Sequence, residues 1–163
     1  MPTGEAATFP PPLVPSRFTL EHYRDLFLNQ GMGRYVLNSL ILATLATILA
    51  LLFTAPAGYA FAKLRFRGRE RLFQVLVAAL VVPAQIGTLP LFLMLKSMGL
   101  VNTYAGALVP WLASIFGLFL VRQYALSIPD EMLEAARVDG ASEGQIFRRV
   151  VLPTLQPIVV TLG

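Results

Sequence analysis

The stretch from Glu134 to Pro153 is dense in both charge and small residues, and it is where residue types and spacing point to chemistry. That chemistry is recognition rather than bond making. Ala135 and Ala136 leave room for a foreign backbone to come close, and Gly140 permits the left-handed residue with which helices often end. Nothing in the chain proposes catalysis. There is no G-x-x-x-x-G-K-S/T phosphate loop, no Ser, His and Asp set, and no metal-ligand spacing, so no catalytic residue, metal site or cofactor is expected. The absence of cysteine excludes disulfide scaffolds, thiolate metal sites and a Cys nucleophile. The single histidine, His22, falls among Glu21, Arg24 and Asp25 and suits a surface position.

Two short helices are expected to position these residues. "SIPDEMLEAARVDG" places Ser127 ahead of Pro129 as the start, puts Asp130 and Glu131 in the first turn where they complement the helix dipole, and ends at Gly140. "ASEGQIFRRVVLP" restarts with Ser142 as cap and Glu143 in the first turn. It sets Ile146, Phe147, Val150 and Val151 on one face and Arg148 and Arg149 on the other. Pro153 restricts Leu152 and predicts a bend there. A helix pair this small at Ala135, Ala136, Gly140 and Ala141 is shaped to lie in a groove on another protein.

The surroundings of the pair are apolar. Of 163 residues, 56% are hydrophobic and 13% charged, well away from the balance of a soluble domain. Runs free of Asp, Glu, Lys and Arg predict spans at about 35–62, 72–95 and 102–121. Each offers the roughly 20 residues that cross a hydrocarbon core. A further apolar run, 150–163, starts another. Pro56 and Gly58 in the first span, and Pro83, Gly87 and Pro90 in the second, favour a multi-helix bundle in which neighbours satisfy the backbone groups that proline frees. Gln85, near the middle of the second, is placed to line a pathway or to bond a neighbour. No ionised residue lies inside these spans, which argues against a proton pump or voltage sensor.

Ahead of the spans, residues 1–34 read as a Pro-rich lead and a short amphipathic helix. Thr19 is its expected cap, Leu20, Tyr23, Leu26 and Phe27 its apolar side, and Gly31 its stop. The lead has neither the basic region nor the apolar core of a signal peptide.

The 13 basic residues are distributed unevenly. Lys63, Arg65, Arg67, Arg69 and Arg71 crowd the connection between the first two spans, and Arg122, Arg137, Arg148 and Arg149 follow the third. Only Arg17, Arg24, Arg34 and Lys96 fall on the other side. An excess of Lys and Arg in short loops marks the cytoplasmic face, so 63–71 and 122–149 are expected inside and the lead outside. Topology explains the net charge of +4, and no nucleic-acid partner is expected.

Glu134, Ala135 and Ala136, then Gly140 after three residues and Val150, Val151, Leu152 and Pro153 after nine more, resemble the "EAA" loop. That loop belongs to the permease subunits of binding-protein-dependent ABC importers. The family usually has Ile where Val150 stands, a change that keeps the apolar face. "LNSLILAT", "AGYAFAKLRFRGRERLF" and "VPAQIGTLPLFLMLKSMGLVNTYAGALVP" further resemble the carbohydrate-importer branch, including the second permease subunit of the maltose transporter. The resemblance covers nearly everything from Phe18 on. It implies an all-α integral membrane protein, a multi-span helical bundle in a bacterial or archaeal cytoplasmic membrane. It also implies partners: a second permease subunit, cytoplasmic ATP-binding subunits that hydrolyse ATP, an external solute-binding protein and membrane lipid. The loop, about 127–153, would be the element coupling the ATPase to a solute pathway through Glu134, Ala135, Ala136, Asp139, Gly140, Ala141, Leu152 and Pro153, with Glu134 pairing with a basic group of the partner. Sugars, oligosaccharides, polyols or glycerol phosphate would be the expected solutes.

Permeases of this branch typically have six spans, one before the external lead and two after the loop. The chain therefore reads as incomplete at both ends. Two alternatives accompany the transport reading: a truncated, non-transporting membrane fragment, and, more distantly, a membrane-embedded enzyme, which the lack of a polar catalytic pair within the spans disfavours.

Overall fold

The computed structural model describes Phe9 and residues 20–162, and every element among them is helical. The all-α expectation holds. Thr19 and, apart from Phe9, the Pro-rich lead lie outside the described residues. The chain divides into two compact units, Met1–Ile41 and Leu42–Gly163.

In the first unit, helix α1 runs Glu21–Leu28 and keeps Leu20, Tyr23 and Phe27 exposed beside it. It stops earlier than Gly31. The Asn29 N–H closes on the Asp25 carbonyl at 2.8 Å, and the side-chain amides of Asn29 and Gln30 donate to the Asp25 carboxylate at 2.6 and 3.0 Å. Those local bonds end the helix, leaving Gly31, at φ +67°, in the following turn.

Helix α2, Met32–Lys63, continues from the first unit into the second and carries Pro56 without a break. It is long and apolar enough to cross a membrane. The next expected span is two helices. Helix α3, Arg69–Ala79, and the pair formed by a 3₁₀ turn at Ala84–Gly87 with α4, Thr88–Ser97, meet at 93°. Pro83 accounts for the break, since it has no N–H for a helix ladder and sits extended at ψ 127°. Gln85 is exposed on that turn. The third expected span is α5, Tyr104–Leu108, with a 3₁₀ turn at Val109–Trp111, followed by α6, Ile115–Leu126, at 43°. Thr103 and Ser114 cap these helices by accepting the N–H groups of Gly106 and Gly117, both at 3.0 Å. Apolar length therefore suffices for three crossings if each bent pair is one.

The rest is α7 (Asp130–Val138), α8 (Glu143–Ile146), a π-helical turn (Phe147–Val151), α9 (Leu152–Thr154) and α10 (Gln156–Leu162). The predicted bend at Pro153 does not occur where expected. Leu152 stays helical at φ −60°, ψ −42°, and its N–H reaches five residues back to the Phe147 carbonyl. The widened turn makes room for the proline ring, which would otherwise clash with a carbonyl of the preceding turn. The helix is interrupted instead at Leu155, between α9 and α10 and just ahead of Pro157, which has no N–H to continue the ladder.

The core of the second unit lies where these late elements meet α2 and α6. Thr54, Ala55, Gly58, Tyr59 and Ala62 form one buried face of α2, and small residues there let helices approach closely. A Cβ on Gly117 would stand 3.1 Å from Thr54 Cγ2, and the Thr54 hydroxyl accepts the Ser114 N–H at 3.3 Å. Tyr59, Val121, Ala125, Ile128, Leu133, Ile146, Val151 and Leu155 complete the apolar cluster. Helix α3 joins α6 through aromatic contacts, with the Arg122 guanidinium 3.9 Å above the Phe73 ring.

Candidate functional site

Helix α7 begins with Pro129 rather than Ser127 at its cap. The Ser127 hydroxyl donates to the Tyr124 carbonyl at 2.7 Å, so it closes the end of α6 instead of opening α7. The start of α7 is fastened by Lys63 at the end of α2. Its Nζ donates to the Ile128 carbonyl at 2.7 Å and to Asp130 Oδ1 at 2.6 Å. The Lys63 ammonium holds the Asp130 carboxyl below the usual aspartate range.

Leu133, 1% exposed, anchors α7 in the core. At its end the Gly140 N–H donates to the Arg137 carbonyl and the Ala141 N–H to the Ala136 carbonyl, both at 3.0 Å. That pairing is a Schellman closure, and it requires a left-handed residue, which Gly140 supplies at φ +83°. The helix end expected from the glycine is therefore present in full.

The second helix restarts as predicted, with the Ser142 N–H donating to Gln145 Oε1 at 2.8 Å. Ile146 and Val151 are buried and Arg148 and Arg149 exposed, matching the two-faced pattern. Glu143 does more than complement a dipole. Its Oε1 accepts from Arg137 Nε at 2.7 Å and its Oε2 from the Tyr59 hydroxyl at 3.0 Å, while the Tyr59 and Phe147 rings lie 5.6 Å apart. One carboxylate thus ties the two short helices to each other across the Gly140 turn and to α2.

The Arg137 guanidinium holds the Glu143 carboxyl below the ordinary glutamate range, against partial burial and with help from Tyr59. The folded-state value lies under the unfolded one, so the stabilisation is complete above about pH 4.3 and is lost as pH falls through the depressed value. Amide exchange over residues 137–145, corrected for intrinsic rates, is expected to stay slow through the ordinary glutamate range and accelerate only below it. In Glu143→Gln the same amides should exchange faster at neutral pH and show no such acid step.

Glu134 and Ala135 are exposed. Met132 and Val138, three residues to either side of Ala135, are 47% and 87% exposed. This edge of α7 presents small and apolar groups outward, the surface that a partner groove would cover. Ala136, Asp139, Gly140 and Ala141 come together in a shallow cleft of about 370 Å³ with Arg149. Glu134 instead faces a second, larger groove beside the 63–71 connection, and Leu152 and Pro153 line neither. Of the expected residues, only Ala136, Asp139, Gly140 and Ala141 thus come together, around the end of α7. Among the described residues no group of His, Asp and Glu is arranged to hold a metal. Lys63, Tyr59 and the tying role of Glu143 were not legible in the sequence. Their partners lie 65, 67 and 84 residues away, and no local pattern links them.

Residues 50–163 match the family described as "Binding-protein-dependent transport system inner membrane component". The chain is 36% identical over 166 residues to the osmoprotective compounds uptake permease protein GgtD of Synechocystis sp., covering 99% of this chain and 55% of that protein. It is 40% identical over 160 residues to the alpha-glucoside transport system permease protein AglG of Rhizobium meliloti, covering 92% and 41%. A crystal structure of a bacterial ABC transporter involved in the import of the acidic polysaccharide alginate superposes with a TM-score of 0.83 at 28% identity, over 91% of this chain and 52% of that one. The chain spans about half the length of the curated relatives it matches. With the family match running from the buried face of α2 through the whole Glu134-to-Pro153 loop, this chain belongs to the inner membrane components of binding-protein-dependent transport systems.

Proposed function

We propose that the chain acts within a permease subunit of an ATP-driven importer. Together with a second permease subunit it forms part of a solute pathway, and residues 127–153 couple that pathway to a cytoplasmic ATP-binding subunit. The observation that carries this reading is the construction of α7. Its outer edge of Met132, Ala135 and Val138 is exposed, while its base is tied to α2 through Lys63–Asp130 and Arg137–Glu143–Tyr59. A helix seated in a cleft of the ATP-binding subunit would then transmit closure of that subunit to the membrane helices as displacement rather than dissipate it in a loose loop. ATP hydrolysis belongs to the partner, since this chain has no phosphate loop.

In this reading α2 and the two bent pairs cross the membrane, the run from 150 onward begins the next crossing, and the N-terminal lead faces outward. The 63–71 connection and residues 122–149 are cytoplasmic. An external binding protein delivers the solute. Alpha-glucoside and arabinooligosaccharide permeases among the relatives support a sugar or oligosaccharide as the solute.

Glu134→Lys reverses the charge that the partner's basic groups would meet without touching the buried face of α7. Uptake of labelled solute by cells carrying the variant is expected to fall to background, with membrane-inserted protein unchanged on immunoblots. Uptake at wild-type rate would remove Glu134 from the coupling contact.

A further inference from the structure

We propose that the connection between α2 and α3 is a binding site for the phosphate of an anionic phospholipid headgroup, held by the guanidinium groups of Arg65, Arg67 and Arg71. The site needs the membrane placement of the family and shares its groove with Glu134 of α7, but retained lipid, its readout, does not depend on coupling. These three arginines, with Lys63 and Arg69 beside them and Arg137 on the coupling helix, line an open groove of about 1410 Å³ between the connection and that helix.

What singles out the three is the pairing around them. Lys63 is taken by Asp130 and Arg137 by Glu143, and Glu70 is taken by Arg122, which lies outside the groove. Arg69 is half-buried and turned onto backbone, donating to the Leu64 carbonyl at 3.1 Å and the Ala62 carbonyl at 3.5 Å. Arg65, Arg67 and Arg71 are exposed and make no hydrogen bond or ion pair among the described residues. Glu134 is the one acidic side chain on the groove left without an ion pair, so the groove keeps an excess of positive charge.

Geometry then selects the occupant. Five residues, 64–68, separate the end of α2 from the start of α3, and Gly68, at φ +82°, turns the chain directly into α3. Arg67 is four residues past the end of α2 and so can stand no more than about 14 Å from it. The polar layer of a bilayer begins where the hydrocarbon ends and is about 5–8 Å deep on each side, so a connection of this reach can lay its guanidinium groups among the headgroups. Exposed Phe66 and Leu72 flank the arginines and suit contact with the acyl boundary beneath a headgroup. Arginine, with its planar fork of donors, is the side chain best fitted to grip a phosphodiester. An acidic protein segment would meet the same charge, whereas a lipid meets both the charge and the exposed Phe66 and Leu72 beside it.

The test uses the assembled transporter containing this chain, reconstituted in phosphatidylcholine vesicles doped with phosphatidylglycerol. Phosphatidylglycerol retained after detergent extraction is counted by native mass spectrometry. The wild type should retain it in preference to phosphatidylcholine, and the preference should survive washing with inorganic phosphate. Arg65→Gln/Arg67→Gln/Arg71→Gln should lower the preference by about a hundredfold, as expected for the loss of three contacts to an anionic surface, whereas Arg148→Gln/Arg149→Gln should leave it unchanged. Where the triple glutamine variant inserts poorly, Arg65→Lys/Arg67→Lys/Arg71→Lys keeps the topology-setting charge but removes the forks, and it too must retain less phosphatidylglycerol. Unchanged retention in either triple variant overturns the site, as does displacement of the lipid by inorganic phosphate, which would make it a free-anion site. Loss of the ATP-binding subunit with lipid retention intact overturns it as well, in favour of an acidic protein partner.

Discussion

Replacing Gly58 with alanine is expected to destabilise the second unit of the chain, although alanine is the better helix former by about 1 kcal/mol. The built Cβ would lie 2.5 Å from Val121 Cγ1, 2.6 Å from Val121 Cβ and 3.2 Å from the Arg122 backbone nitrogen. A flexible side-chain tip could swing away from such a contact. A β-carbon and a backbone atom cannot, so α2 and α6 must separate. Val121 is fully buried, and separation would also strain the Arg122 bonds to the Phe61 carbonyl and to Glu70. Overpacking of this kind costs about 1–3 kcal/mol, more than the gain in helix propensity, and Gly58→Val should lie beyond the top of that range. The measurement is thermal aggregation of the detergent-solubilised protein, where a clear drop in midpoint is expected for alanine and little recoverable protein for valine. Adding Val121→Gly to Gly58→Ala should recover part of the loss, because it removes both clashing carbons. No recovery would mean that the helices do not approach each other as described.

Gly140→Pro is expected to abolish transport while leaving membrane insertion intact. Space is no obstacle there, since nothing lies within 4 Å of where a Cβ would stand. The obstacle is conformational. Proline is locked near φ −65°, Gly140 sits at φ +83°, and the Gly140 N–H that closes α7 on the Arg137 carbonyl would be gone. The turn would open, Arg137 and Glu143 would part, and α7 would lose its tie to Tyr59. A graded series separates this cause from simple bulk. Gly140→Asn should transport nearly as well as glycine because asparagine tolerates the left-handed region, whereas Gly140→Val, at a cost of about 1–2 kcal/mol, should be partly impaired. Uptake unaffected by proline, together with uptake unaffected by Glu134→Lys, would end the coupling reading.

Much of this was legible from residue order because it rests on interactions within one turn of helix. Asp130 and Glu131 at the start of α7, Gly140 at its end, Ser142 as cap of the restart, and the two faces of Ile146–Val151 all depend on neighbours within a few residues. Such spacing is written directly in the chain. The all-helical, apolar character was legible for a similar reason, since long runs without charge suit lipid wherever their partners lie. Where local signals competed, the reading failed. Ser127 can cap a following helix or close a preceding one, and it does the latter. Pro153 predicts a bend, yet a π-helical turn keeps Leu152 helical and the interruption falls at Leu155.

Tertiary packing decided the rest. Val121 turns Gly58 from a helix-weakening residue into the closest approach of two helices, and Tyr59 turns Glu143 from a first-turn acid into a tie between three elements. Lys63 belongs by position to a topology-setting basic run, and only the fold commits it to Asp130 while leaving Arg65, Arg67 and Arg71 without ion partners. The physical reason is the same in each case. Helix caps and amphipathic faces are short-range and additive, so composition and spacing suffice to place them, whereas a clash or an ion pair exists only once segments as much as 84 residues apart have been brought within a few ångströms.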